Sequence, residues 1–347
     1  MSIVVLQLPK VKREAEARPK RCKYCKGEIL QRWGGAKKPV RDTKVGEVRV
    51  YRYQCCTCKR TFRDYPNGVD RSDQTQRIRK LAMICWKLGL SYRGVEMVMA
   101  GFGVRLSRMS AWRDVQEEAQ GRKKSKRWQG VRVLGLDGAY VLGWGEKQPV
   151  MIAVDLGAGE LVNVGYINEH DPQAVKRWLE PLVKRLGVSV IVTDDMAIYR
   201  QVADELNLAH QVCQFHARRW VGRKLHKLKS EIPKAWLWVI EAIKKIIDEL
   251  PDDGDRQLYE LWKKIPGRTT KPEEARVPME QLRDMIIRLS ERWQRYTEFI
   301  DDPGIPWTNN GTERVIGAMK MRARTVRGYK NWKGMQSGLM ISGSSIS

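Results

Sequence analysis

Val188-Ser189-Val190-Ile191-Val192-Thr193-Asp194-Asp195 is the stretch whose reading decides the fold. It is apolar at nearly every position, follows Gly187 and stops at a pair of acids, which describes a strand covered on both faces, as in a parallel sheet. Working outward, Asp171-Pro172 opens a helix, with Asp171 as N-cap and Pro172 in the first turn. Val175, Trp178, Leu179 and Leu182 carry that helix towards Gly187. Upstream, Pro149 to Leu156 and Leu161 to Ile167 read as two strands joined by the turn Gly157-Ala158-Gly159. Before them, Val131-Arg132-Val133-Leu134-Gly135-Leu136 is a strand ending at Asp137. Downstream, residues 197–300 read as almost entirely helical, and Asp301 to Trp307 is a loop before Thr308-Asn309-Asn310-Gly311-Thr312-Glu313 and a final basic helix.

This order (three strands, helix, strand, long helical stretch, helix) is compatible with an α/β, RNase H-like core interrupted by a helical insertion at about 200–300. Asp137 and Asp194 then end two strands of one sheet, and the carboxyl ends of parallel neighbours form a ligand crevice. Acids side by side there repel unless a cation neutralises them. A pair of divalent ions would do so and would suit cleavage of a phosphodiester. Each Asp taken singly also fits a turn or cap. Glu313 has its own alternative, since Asn310-x-x-Glu313 matches a capping box. Asp195 and Asp155 are rival acids, the first adjacent to Asp194 and the second leading into the Gly-Ala-Gly turn.

Near the start, Cys22-x-x-Cys25 and Cys55-x-x-Cys58 are two knuckles with 29 residues between them. Four thiolates from two tight turns suit one structural Zn²⁺, and the basic, β-prone sequence between them suits a zinc ribbon. Cys56 is a bystander or a substitute for Cys55. Residues 74–118 read as three helices resembling a helix-turn-helix unit, whose last helix would place Arg105, Arg108 and Arg113 in a major groove; a purely structural bundle is the alternative. The expected organisation is a basic, disordered leader at 1–20, the ribbon at 21–66, the helix-turn-helix region at 72–120, a charged linker at 121–130 and the catalytic domain at 131–347.

Charge supports a polyanionic partner. The formal net charge is +25, and residues 1–130 hold 32 Lys and Arg against 12 Asp and Glu. The last segment adds Arg314, Lys320, Arg322, Arg324 and Arg327, expected to grip phosphates beside the acids. No stretch approaches the roughly 20 apolar residues of a membrane span, and Ile3-Val4-Val5-Leu6 is too short for a signal peptide. Seven cysteines without an export signal fit a reducing compartment. The expectation is a soluble, cytoplasmic protein on or near the nucleoid, with no small-molecule substrate. Thirteen Trp against four Phe is unusual; Trp220, Trp236, Trp238, Trp262 and Trp293 read mostly as core, with one available to stack on an unpaired base.

Leu136-Asp137-Gly138, Val192-Thr193-Asp194-Asp195 and Thr308-Asn309-Asn310-Gly311-Thr312-Glu313-Arg314 together resemble the three blocks of bacterial insertion-sequence transposases of the DDE class. Cys213-Gln214-Phe215-His216 is similar to the C-x-x-H feature of the Mutator-like group, which carries a helical insertion before the last acid. The resemblance implies that Asp137, Asp194 and Glu313 bind two Mg²⁺ or Mn²⁺, with Cys213 and His216 close by. It implies nicking at element ends, then attack of the freed 3′-hydroxyl on target DNA, by a homo-oligomer. A domesticated, non-cleaving DNA-binding regulator is the other reading.

Overall fold

The computed structural model describes residues 7–124, 130–266 and 273–345. The run Ile3 to Leu6 and residues 125–129 of the expected linker lie outside them. The chain divides into two units: residues 1–124, 142–144 and 319–347 form one, and 125–141 with 145–318 form the other.

The second unit is organised by the stretch read first. β7 (Val190–Thr193) is buried at all four residues. It lies parallel to β4 (Val133–Ala139) on one side and to β8 (Ala209–Val212) on the other. β5 (Val150–Asp155) and β6 (Glu160–Gly165) extend the sheet antiparallel from β4, giving the order β6-β5-β4-β7-β8. Asp155 closes the β5–β6 hairpin, its Oδ1 accepting from the Gly157 and Ala158 amides at 2.9 and 3.3 Å. It thus acts as the turn residue of this hairpin.

α4 (Pro172–Leu186) starts on Asp171, whose Oδ1 accepts from the amides of Gln173 and Ala174 at 2.9 and 3.1 Å. Val175, Leu179, Leu182 and Leu186 repeat at helical spacing and all point into the core. At roughly 1.5–3 kcal/mol per buried side chain this stripe is what holds α4 on the sheet. α5 (Ala197–Glu205) packs in the same cluster through Tyr199, Val202 and Ala203.

β8 corrects the sequence reading, which took 197–300 as almost wholly helical. Its Ala-His-Gln-Val has no apolar alternation, because His210 and Gln211 are buried polar residues. Their cost is met by specific partners: His210 bonds Thr193 Oγ1 at 2.8 Å and Arg295 at 3.2 Å, and Gln211 Oε1 accepts from the Phe299 amide at 3.0 Å. The helical segment consequently begins later, with α6 (Gln214–Glu231), and continues through α7 (Leu237–Glu249), α8 (Gly254–Lys264), α9 (Glu273–Glu291) and α10 (Trp293–Asp301). These helices share one apolar core that buries Trp293, with Trp220, Trp236 and Trp262 packed half-buried against it; Trp238 remains 46% exposed. α11 (Asn310–Thr325) follows, starting in this unit.

In the first unit, β1 (Leu30–Pro39), β2 (Glu47–Cys55) and β3 (Thr61–Asp64) form an antiparallel sheet. Residues 7–20 of the leader are more ordered than their composition suggests. Val11 packs with Val40, Val45, Val48, Val50 and Val69, and backbone bonds join Lys12 to Asn67 and Arg13 to Arg49. α1 (Gln76–Lys87), α2 (Tyr92–Gly101) and α3 (Arg108–Lys124) follow. Ser91 caps α2 by accepting from the Gly94 amide at 3.0 Å, and Ser107 caps α3 through Ser110 at 3.2 Å. α3 runs on to Lys124, so the first residues of the expected linker are helical; the Arg122–Glu118 pair at 2.9 Å supports that last turn. α12 (Trp332–Ser342) packs on α3, with Ser337 Oγ donating to Gln116 Oε1 at 2.6 Å. Among the described residues no helix is long and apolar enough to cross a membrane.

Candidate active site and metal centre

The acid-bearing blocks are drawn together by a relay of buried hydrogen bonds that runs through neighbouring residues. The Cys213 amide donates to Thr193 O at 2.8 Å, tying the start of α6 to the residue before Asp194. The thiol of Cys213, fully buried, accepts from the Asn309 amide at 3.3 Å. Asn309 Nδ2 donates to Leu136 O at 3.0 Å, one residue before Asp137. Asn309 Oδ1 in turn accepts from Thr312 Oγ1 at 2.6 Å, in the first turn of α11 one residue ahead of Glu313. Gly135 makes this approach possible, since a Cβ there would press into Thr312 Oγ1 and Asn309 Oδ1. The residue bonded at this helix start is Asn309, one before the Asn310 of the alternative capping-box reading.

Asp137 and Asp194 face one another closely enough to repel. Burial, then the charge of Asp194, pushes the Asp137 carboxyl up to about 6. Burial likewise raises Asp194, whose Oδ1 accepts from the Met196 amide at 3.2 Å. Glu313 is more exposed, its side chain 41% accessible, and its Oε1 lies 3.2 Å from His216 Nε2. His216 stands in the first turn of α6, where a positive charge on its ring would favour the ionised forms of Asp137 and Asp194. The three carboxylates do not form a closed ligand cage: among the described residues, the four cysteines alone bring three or more such ligand atoms within 4.8 Å of one another.

Asp195 is excluded from the pair by its own bonds. Its carboxylate, 13% exposed, pairs with Arg200 at 2.5 Å and with Arg288, and accepts from Tyr296 OH at 2.9 Å. Of the two adjacent acids, Asp194 is the one whose charge acts on Asp137. A further acid was missed. Glu169, 14% exposed, packs its carboxylate against Gly138, where any Cβ would collide with it. Burial raises its carboxyl, and Asp194 adds to that. Gly138 beside Asp137 was the one available signal, as a glycine leaves room for a neighbouring group.

In the first unit, Cys22 Sγ lies 3.7 Å from Cys58 Sγ, and Cys25 Sγ lies 3.5 Å from Cys55 Sγ. Sulfurs arranged tetrahedrally about 2.3 Å from a Zn²⁺ are about 3.8 Å apart, so the set fits that ion without rearrangement. Amides donated from the knuckle backbone, Cys58 first, hold the Cys55 thiol down to about 6, favouring the thiolate ligand. Cys56 stands outside the set.

Arg105, Arg108 and Arg113 are exposed, as are Arg314, Lys320, Arg324 and Arg327. Arg322 is not. It is 2% exposed, lies 4.0 Å over the Trp86 ring and donates to Leu90 O at 2.9 Å. A cation so enclosed holds helices together and is removed from the set expected to meet phosphates.

Residues 158–337 match the family described as Transposase IS66 family, which covers β6 through most of α12, including Asp194, His216 and Glu313. The chain belongs to that family, and so is a transposase by descent. The family shown is IS66, whereas the C-x-x-H resemblance pointed towards the Mutator-like group. The chain is also 21% identical over 304 residues, 84% of its length and 74% of the other's, to a protein of Methanobrevibacter smithii named insertion element ISM1 uncharacterized 48.3 kDa protein.

Proposed function

We propose that this chain cleaves DNA at the ends of an insertion element and joins the ends to a target, using Asp137, Asp194 and Glu313 as its acid set. The observation that carries this reading is the relay Thr193–Cys213–Asn309–Leu136, which binds the three acid blocks into one place although 176 positions separate the first acid from the last. The sheet order β6-β5-β4-β7-β8, with the first three strands antiparallel and the last two parallel to β4, supports an RNase H-like core. Two desolvated, mutually repelling carboxylates fit divalent cations of the Mg²⁺ or Mn²⁺ kind. Such ions, when bound, activate the attacking oxygen and steady the leaving one.

The residues of the chain then have separate tasks. Asp137 is fixed within β4 and Asp194 directly after β7, while Glu313, on a helix start, is oriented by His216. Cys213 positions all three without touching substrate. Hydrolysis of one phosphodiester at the element end releases a 3′-hydroxyl and leaves a 5′-phosphate on the flanking strand. The 3′-oxygen then bonds to a target phosphorus, and the target's own 3′-oxygen departs as a hydroxyl. The ribbon with its Zn²⁺ and the exposed Arg105, Arg108 and Arg113 would hold element DNA, with Arg314, Lys320, Arg324 and Arg327 as further phosphate contacts. Bringing two element ends together calls for at least two copies of the chain.

The test is incubation with Mg²⁺ or Mn²⁺ and duplex DNA carrying the element's terminal repeats, read for nicked and joined products. Asp137→Asn and Glu313→Gln should abolish both. Cutting at the parent's rate by either variant refutes the acid set; binding without cutting by every form, parent included, favours a regulator.

A further inference from the structure

We propose that Arg288 and Arg292 form a clamp for a DNA backbone phosphate one to two nucleotides from the bond that is cut. The proposal rests on the acid set argued above and adds a binding subsite to it.

Three guanidiniums surround the single carboxylate of Asp195. Arg200 and Arg288 pair with it directly, and Arg292 Nη1 stands 3.9 Å away. Tyr296 OH donates to the same carboxylate. The remaining cation in the neighbourhood, Arg295, is taken by Asp204 at 2.6 Å and by His210. Asp195 cannot neutralise three positive charges, so this cluster carries a surplus of two. Arg292 is the least satisfied member: its Nη1 and the Nε of Arg288 have no hydrogen-bond partner. Burial and the charges of Arg200 and Arg288 disfavour the cation on Arg292. Like charges held together at a stability cost mark a place where an anion belongs. The unpaired Nη1 and Nε are buried, but Arg288 and Arg292 keep 33% and 27% of their side chains exposed, so a phosphate would meet the outer nitrogens of the two guanidiniums.

The cluster is placed for DNA. Asp195 follows Asp194 directly, so the network begins at the second acid of the site. Arg288 lies 4.4 Å over the Trp220 ring, and Trp220 is four residues along α6 from His216, hence on the same face one turn away. One turn is about 5.4 Å, against about 3.4 Å of axial rise per nucleotide on one strand. A strand whose scissile phosphate sits at the acids would then carry a neighbouring phosphate towards Arg288, with Arg292 beside it on Asp195. Arginine's planar fork suits a phosphate oxygen pair.

Full-length parent and Arg292→Gln should be compared for binding of terminal-repeat duplex by anisotropy over a range of KCl, with no divalent ion added. Removing one phosphate contact lowers the slope of log K against log salt by about 0.9, and affinity at 0.1 M salt by about 8-fold. Melting temperature should hold or rise, because a repelling charge is gone. Arg292→Lys should keep the slope. Inorganic phosphate, at ionic strength matched with chloride, should raise the melting temperature of the parent more than that of Arg292→Gln. Unchanged slope and affinity in Arg292→Gln overturn the clamp; protection by inorganic phosphate with unmoved DNA affinity overturns the DNA assignment. Loss of melting temperature in both Arg292→Gln and Arg292→Lys makes the residue a structural partner of Asp195, which also overturns it. Binding is read without cleavage, so the clamp and the acid set can fail separately.

Discussion

Asp137→Asn should make the metal-free protein more stable while ending its chemistry. Asp137 is held at about 6 by burial and by Asp194, whereas an unfolded chain would return it to the ordinary 3.8. The difference corresponds to roughly 3 kcal/mol in favour of the neutral form. The sign follows from linkage: an acid raised in the folded state costs nothing below its unfolded value, and the cost accumulates as pH climbs from about 4 to about 6. Above that range the full penalty is present. An Asn at the same place carries no charge, so at pH 7 it removes the penalty and also relieves Asp194. Allowing half for relaxation and solvent, about 1.5 kcal/mol remains, equivalent to about 3–6 °C in the melting temperature of a unit this size. The assay is thermal denaturation at pH 5 and pH 7 without added divalent ion, then with Mg²⁺. The variant should exceed the parent at pH 7, the gap should narrow towards pH 4, and Mg²⁺ should stabilise the parent more. A variant no more stable than the parent at pH 7, or one that gains as much from Mg²⁺, would refute the reasoning.

Other expectations follow from the same geometry. Zinc analysis should find about one ion per chain, and Cys55→Ala should release it and unfold the ribbon, seen as protease cleavage within residues 21–66; a metal-free, protease-resistant ribbon contradicts the site. Gly135→Ala should push Thr312 and Asn309 off β4 and suppress cutting at least 100-fold with DNA binding retained, a large effect for one methyl group; near-parental cutting would mean the relay does not position Glu313. Arg322→Met should lower the melting temperature, through loss of the bond to Leu90 and the Trp86 contact, but leave the salt slope of DNA binding unmoved; a fall of about 0.9 in that slope would restore Arg322 as a phosphate contact. Glu169→Gln should reduce cutting about 10-fold or more, and parental rates would make it a packing residue beside Gly138.

Much of the site was legible in residue order because its chemistry is local. Apolar runs leading into acids announce strands, and β4 and β7 were readable for that reason, although β4 continues past Asp137 to Ala139 because Gly138 and Ala139 still pair with β5. Two knuckles of two cysteines announce a metal cage, since each tight turn already sets two sulfurs. Asp171 and Asp155 were readable as cap and turn residues because their side chains bond amides two or three positions away. By contrast, β8 was hidden because His210 and Gln211 are buried against partners from distant segments. Glu169 was hidden because its place depends on how the β6–α4 connection passes Gly138.

Local order along the chain thus determined which residues end strands, begin helices and share a metal turn, since those depend on dihedral preference and bonds of short reach. Tertiary structure alone decided that Asp194 and not Asp195 meets Asp137, that Arg322 is an interior brace, and that Asn309 rather than Asn310 holds the last acid's helix. In each case neighbours of the same residue type were separated by which partner lay within about 3 Å, a condition set by chain segments tens to hundreds of residues away.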